Sequence, residues 1–231
     1  MDRQHPAGHN RVCLPGLRVP GPDGPGGNFE RRGPKIDNSD KIILDLCGGT
    51  GAWSRPYREA GYDARLITLP DNDVLTYEPP ENVYGILAAP PCTQFSLART
   101  TASTPRNFDD GMAIVQTCLC IIWKCRKEHK LGFWAMENPR GLLRQFLGQP
   151  AFEFEQWEFG DHGVKPTDIW GWFRKPIKTV IDRPENLTRK YPCGSSMSAY
   201  WNQKPPDGLT RADMRAITPP GFAQAFFKAN R

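Results

Sequence analysis

The chain has no apolar run long enough to cross a bilayer and no stretch that resembles a secretory signal, which argues against a membrane-spanning helix and predicts a cytoplasmic setting. Its seven cysteines (Cys13, Cys47, Cys92, Cys118, Cys120, Cys125 and Cys193) are odd in number and lack the spacing of a disulfide framework, so a reducing compartment is expected. No Cys-x-x-Cys or paired histidine accompanies Cys118, Cys120 and Cys125, and no metal is expected. The glycines after residue 47 are not followed by Lys-Ser/Thr, which excludes a phosphate-cradling P-loop, and the Gly-x-Gly-x-x-Gly dinucleotide spacing is incomplete. No internal repeat is found. A net charge of +5 suits a polyanionic partner.

At 231 residues the chain suffices for one well-buried domain with a small appendage. Residues 1–38 hold Pro6, Pro15, Pro20, Pro22, Pro25 and Pro34 among glycines, with scattered arginines and few large apolar side chains. That composition predicts a disordered tail. The ordered core is expected over 39–172, a small excursion over 173–209, and closing helices over 210–231.

Lys41 to Leu46 reads as a buried strand that runs into Cys47-Gly48-Gly49-Thr50-Gly51-Ala52-Trp53-Ser54 and then a helical stretch to Ala60. Such a strand, glycine turn and helix bring backbone N–H groups close to a ligand. Arg65 to Leu69 predicts a second strand, followed by a polar loop with Asp73 and Val74. Tyr84 to Leu87 predicts a third, leading into Ala88-Ala89-Pro90-Pro91-Cys92-Thr93-Gln94-Phe95-Ser96. The two prolines stiffen the exit from the strand and hold Cys92 at the sheet's edge, where a thiol can act as a nucleophile. Leu97 to Asp110 reads as a mobile loop, and a helix follows with Met112, Val115, Leu119, Ile122 and Trp123 on its apolar stripe. Gly132 to Met136 predicts a fourth strand that ends in Glu137, with a short helix over Leu142 to Leu147. A carboxylate at a core strand's end is costly to bury unless paired or protonated, which makes Glu137 a candidate acid. Phe152 to Phe159 alternates as a strand, and another follows the turn at Gly160. Tyr191, Tyr200 and Trp201 among basic residues suit stacking on bases and contact with phosphates. Strands alternating with helices predict an open α/β sheet, with Gly49, Asp73 and Cys92 at the ends of strands near one crevice.

Taken in order, Asp45-Leu46-Cys47-Gly48-Gly49-Thr50-Gly51, Pro90-Pro91-Cys92-Thr93-Gln94-Phe95-Ser96 and Glu137-Asn138-Pro139 resemble the DNA cytosine-5 methyltransferases. Lys165-Pro166-Thr167-Asp168-Ile169-Trp170 and the terminal Gly221 to Asn230 are similar to the short phage and prophage members. The resemblance spans roughly residues 41 to 231. It implies a Rossmann-like S-adenosylmethionine-dependent methyltransferase sheet with a small target-recognition excursion, acting on double-stranded DNA as a monomer inside a bacterial or phage-infected cell. Cys92 would attack cytosine C6, Glu137 would hydrogen-bond N3, and Lys165 is the candidate for O2. The resemblance implies donor binding by Asp45, Gly48, Gly49, Thr50, Gly51, Trp53, Ser54, Asp73, Val74, Pro91 and Asn230. Contacts to the target nucleotide would come from Pro91, Ser96, Asn138, Pro139, Arg140, Lys165 and Thr167.

The chain departs from the family's pattern at four places. Cys47 stands where many relatives carry Phe, and the acidic residue usual after the second strand is missing around Leu69 and Pro70, with Asp71 as a substitute. The nucleophile motif reads Cys-Thr-Gln-Phe-Ser, and Lys165 and Thr167 replace a pair of arginines. Other readings are RNA as substrate, transfer of a C5 alkyl group other than methyl, and a degenerate relative that only binds DNA. Amino-methylating enzymes carry an aromatic residue directly after Pro-Pro, where this chain has Cys92. RNA cytosine-5 enzymes generally carry their nucleophile in the later motif, where this chain has Glu137-Asn138-Pro139.

Overall fold

The computed structural model describes residues 37–99, 103–128, 131–185, 187–190, 196–198, 208 and 210–231. Strands β1 (Ile42–Leu46), β2 (Asp63–Ile67), β3 (Val83–Ala88), β4 (Phe133–Pro139), β5 (Phe152–Phe154) and β6 (Thr167–Trp172) form a six-stranded sheet in the order β2-β1-β3-β4-β6-β5. The first four run parallel, and β6 runs antiparallel to both β4 and β5. The chain leaves β1 for β2 on one side and returns to β3 on the other, so the strand order reverses between β1 and β3. That is where an open α/β sheet leaves a crevice beyond its carboxyl ends. The α/β architecture therefore stands as expected.

Alternation along the strands divides the core. Leu44, Leu46, Ile86, Ala88 and Met136 face a layer built on α2 (Phe108–Glu128). Ile43, Leu87, Phe133 and Ala135 face α1 (Arg55–Glu59) and α5 (Pro220–Ala229), where Trp53, Tyr57, Phe222 and Phe226 are buried. Each fully buried large side chain contributes roughly 1.5–3 kcal/mol relative to exposure. In the α2 layer the apolar stripe is Val115, Cys118, Ile121, Ile122 and Cys125, whereas Trp123 is 64% exposed. Of the expected stripe, Val115 and Ile122 are buried and Met112 and Leu119 pack against the same layer, so only Trp123 departs from it. Cys120 is exposed and Cys118 buried, on different faces as expected.

Other boundaries shift for local reasons. The strand expected over Phe152 to Phe159 stops at Phe154, and Gln156–Phe159 winds into a 3₁₀ turn (η1). The Glu158 carboxylate accepts the Glu155 backbone N–H at 2.7 Å, a local bond that competes with sheet pairing. The helix expected over Leu142 to Leu147 shortens to α3 (Arg144–Leu147). Within the expected tail, Asn38 is 8% exposed and donates to the Ala60 carbonyl at 3.1 Å, so the folded part begins before residue 39. Residues 1–36 lie outside the described part.

Of the excursion over 173–209, β7 (Thr188–Lys190) and β8 (Ser196–Ser198) pair antiparallel as a separate two-stranded sheet. Tyr191, Tyr200 and Trp201 fall outside the described residues. The segment's root is tied to η1 by the Thr179 and Val180 N–H groups on the Glu158 carbonyl, and to the chain end by Asn230. Helix α4 (Arg211–Ala216) then precedes α5. Among the described residues, no helix is long and apolar enough to cross a membrane.

Candidate active site

The crevice has two walls. One begins at β1, where Asp45 is fully buried on the α1 face. The Ser54 hydroxyl donates to its Oδ2 at 2.6 Å, and its Oδ1 has no partner. Burial raises the Asp45 carboxyl from 3.8 to about 6, opposed by the hydrogen bonds from Ser54 and by the Arg58 charge. A Cβ at Gly48 would overlap this carboxylate, so the turn can pass over Asp45 only as glycine. Gly49 and Gly51 follow at φ +55° and +67°, and a side chain at Gly49 would meet nothing within 4 Å. A bare, open turn above an unpartnered buried acceptor fits a compact ligand that carries a donor or positive charge.

Raising the Asp45 carboxyl has a consequence for stability. Folding favours its neutral form, so this contribution is fully present below about pH 4 and is lost as pH rises through about 6. At roughly 1.4 kcal/mol per pH unit, a shift from 3.8 to about 6 corresponds to about 3 kcal/mol. We therefore expect Asp45→Asn, which keeps an acceptor for Ser54, to unfold at higher denaturant than wild type at pH 8 and at the same denaturant at pH 4. Equal midpoints at pH 8 would show that Asp45 is solvated.

The second wall is built from β3 and β4. After β3 the Ala89 N–H extends the ladder to the Leu46 carbonyl at 2.9 Å, and the chain turns at Pro90 and Pro91. Cys92, half-buried, follows. Its carbonyl accepts the N–H groups of Phe95 at 2.9 Å and Ser96 at 2.8 Å, which makes residues 92–96 a tight turn. The neighbouring β4 pairs with β3 up to Met136, so Glu137 is the first residue beyond the end of β3. The sequence puts Glu137 at the end of the strand, and pairing of β4 with β6 carries the strand on to Pro139. Asn138, also fully buried, donates to the Pro90 carbonyl at 2.9 Å and so ties β4 to the nucleophile turn.

Lys165, on the approach to β6, completes the wall. Its Nζ lies 3.6 Å from Glu137 Oε1 and donates to the Arg215 carbonyl at 2.9 Å. The Cys92 thiol is held above its ordinary value, chiefly by burial and also by the Glu137 charge. Lys165 and, more weakly, Arg215 pull it back down. Thiol, carboxylate and ammonium thus share one electrostatic neighbourhood, and Arg215 joins them from α4, which the sequence marked only as a helix start.

Several expected site residues have other work. Ser54 positions Asp45, and Trp53 is buried against Phe222 and Phe226. The Asn230 amide is committed to the Arg174 backbone in both directions and to the Phe226 carbonyl. Thr167, 2% exposed, closes a turn through its hydroxyl on the Lys165 carbonyl. Ser96 accepts the Ala98 N–H, Pro139 pairs with Thr167, and Arg140 pairs with Glu153. Val74 is buried in the α2 layer, while Pro91, Thr50 and Asp73 are exposed. Asp73 is close enough for its charge to act on the Cys47 thiol beside the glycine turn. Cys47 itself takes a left-handed φ of 57° and hydrogen-bonds Cys118.

No family model matches the chain, and a search of curated proteins returns no match.

Proposed function

We propose that this protein is a DNA cytosine-5 methyltransferase of the short phage type, which uses S-adenosylmethionine. The observation that carries the reading is a presented thiol, Cys92, beside the Glu137–Lys165 pair at the ends of adjacent parallel strands. A pure binder needs neither a nucleophile nor an acid there. The bare glycine turn over the unpartnered Asp45 oxygen supports a donor site across the same crevice.

The target cytosine must leave the duplex stack to reach Cys92, at a cost of a few kcal/mol. The Cys92 sulfur then adds to C6 as a thiolate, with the positive charges of Lys165 and Arg215 favouring the ionised form. As the C6–S bond forms, electron density moves to C5 and onto N3 and O2. Glu137 takes up a proton as the base enters and, in that protonated form, hydrogen-bonds N3 and supplies the proton there as negative charge develops, while Lys165 beside it is the cation for that charge. Bound S-adenosylmethionine would supply the electrophilic methyl group that C5 takes, its sulfonium S–CH3 bond breaking to leave the neutral thioether S-adenosylhomocysteine. Transfer of the C5 proton to a water molecule acting as base, with departure of the Cys92 thiolate from C6, restores the aromatic ring.

The test is a covalent trap. Wild-type protein, S-adenosylmethionine and duplexes that contain 5-fluorocytosine should give a donor-dependent band on a denaturing gel, because fluorine cannot leave C5 as the proton does. No band on any duplex, alongside tight donor binding, would overturn the DNA reading. A band only with RNA would redirect it.

A further inference from the structure

The turn that carries Cys92 begins after two prolines, which have no N–H to donate, so it must find its stiffness elsewhere. Its inner bonds are the two N–H groups on the Cys92 carbonyl. The Phe95 carbonyl is taken by the Leu142 N–H at 2.9 Å, and Phe95 itself is fully buried against Phe108 and Phe146. On either side lie the carbonyls of Gln94 and Ser96, the latter also accepting the Arg99 N–H at 3.4 Å. Both are met by one side chain, Arg106, whose Nη1 donates to the Gln94 oxygen at 2.7 Å and Nη2 to the Ser96 oxygen at 2.9 Å.

Arg106 has no carboxylate partner among the described residues. Its neighbourhood reinforces the grip. The Asn107 N–H and Arg99 Nη1 both donate to Gln94 Oε1, at 2.9 and 3.3 Å, and Arg99 Nη2 reaches Thr104 Oγ1 at 2.8 Å. The segment between the nucleophile and α2 therefore folds back on the turn it has just left. Arg106 is the residue that joins the start of α2 to both flanks of that turn.

We propose that Arg106 is a positioning residue that holds Cys92 in its attacking geometry by spanning the Gln94 and Ser96 carbonyls. Its planar fork matches two acceptors at once, which a lysine ammonium cannot do in the same geometry. The inference rests on the cytosine-5 reading for its activity consequence, and on the turn's geometry alone for its effect on the thiol. Arg106 is not among the charges that act on Cys92, whereas Lys165 is. Arg106 variants should therefore change how fast Cys92 reacts without raising the pH at which it ionises, whereas Lys165 variants should raise that pH.

The experiment compares wild type, R106A, R106K and K165M in the full chain. It reads covalent trapping on 5-fluorocytosine duplexes, duplex affinity, and alkylation of Cys92 by iodoacetamide as a function of pH, followed by peptide mass. For R106A we expect trapping about 100-fold slower, the cost of a reacting group displaced by about 1 Å, with duplex affinity unchanged. R106K should lie between R106A and wild type, and added guanidinium ion should restore part of the R106A rate. Cys92 alkylation should rise severalfold in R106A as the turn loosens, with its inflection pH no higher than that of wild type, whereas K165M should raise it.

Trapping by R106A at the wild-type rate would overturn the proposal, as would a loss that resides wholly in duplex affinity, which would make Arg106 a phosphate contact. If R106A fails to fold, R106K decides, and wild-type trapping by R106K overturns the proposal. If wild type itself traps nothing, the cytosine-5 reading fails. Alkylation then decides the clamp separately, with identical Cys92 rates in wild type and R106K overturning it.

Discussion

Cys92→Ser is expected to eliminate the covalent trap and to lower methyl transfer by on the order of 10⁴-fold or more, with the melting temperature unchanged. Serine nearly matches cysteine in size, and the turn it would occupy is held by backbone bonds rather than by the thiol. What it lacks is ionisation: a hydroxyl does not become an anion under these conditions. The wild-type thiol is held above its ordinary range by burial first, and by Glu137 next. Its reactivity in the free protein should therefore still be rising above about pH 9.5, where an exposed thiol with a midpoint of about 8.5 has nearly levelled off. Lys165→Met removes the larger opposing charge and should push that rise to higher pH still. Measured alkylation rates across pH check both statements. Wild-type turnover by the serine variant would end the covalent mechanism.

The second large effect belongs to Glu137. Glu137→Gln keeps shape and hydrogen-bonding capacity but cannot supply a proton, so kcat should fall by roughly 10²–10⁴-fold while KM for duplex changes little. The split follows from the chemistry, because negative charge reaches N3 only as the sulfur bonds to C6, and an interaction made only then alters turnover rather than affinity. Glu137 and Lys165 are 3.6 Å apart, so their variants should not add. In Glu137→Gln the Lys165 ammonium loses its carboxylate neighbour, and the double variant Glu137→Gln with Lys165→Met should be less impaired than the product of the single losses. Exact multiplicativity would mean that the two side chains act separately. Wild-type kcat in Glu137→Gln would remove Glu137 from the reaction.

Legibility from sequence differed by element. Strands β1, β3 and β4 announced themselves as continuous apolar runs, because a parallel strand covered on both faces has no polar side to show. The stretch Phe152 to Phe159 alternated just as well and still broke at Glu155, since a side-chain bond four atoms from the backbone outweighed a pairing partner that sequence could not supply. In α2 both period and phase were legible for Met112, Val115, Leu119 and Ile122, and only Trp123, at the edge of the stripe, turns out to solvent. Ser54, Thr167 and Asn230, read as ligand contacts, make internal ties in the structure. Short polar side chains serve either role, and only the position of a partner distinguishes them. Arg106 and Arg215 carried no spacing signal at all, one lying in a polar loop and the other in a short helix.

By itself the sequence determined the chemistry on offer. A thiol after two prolines, a carboxylate at the end of a buried run and glycines after a strand are local facts, and local sterics and burial give them meaning without a fold. It also determined the α/β class, through strands and helices in alternation. The tertiary structure alone decided which of these groups meet. Glu137 and Lys165 are 28 positions apart in the numbering and become neighbours only because β6 turns back antiparallel beside β4. Asp45 acquires its raised carboxyl from being sealed beneath Gly48, and Cys92 acquires its stiffness from an arginine at the start of α2. Burial, field and grip are properties of surroundings, and surroundings come from chain segments distant in sequence.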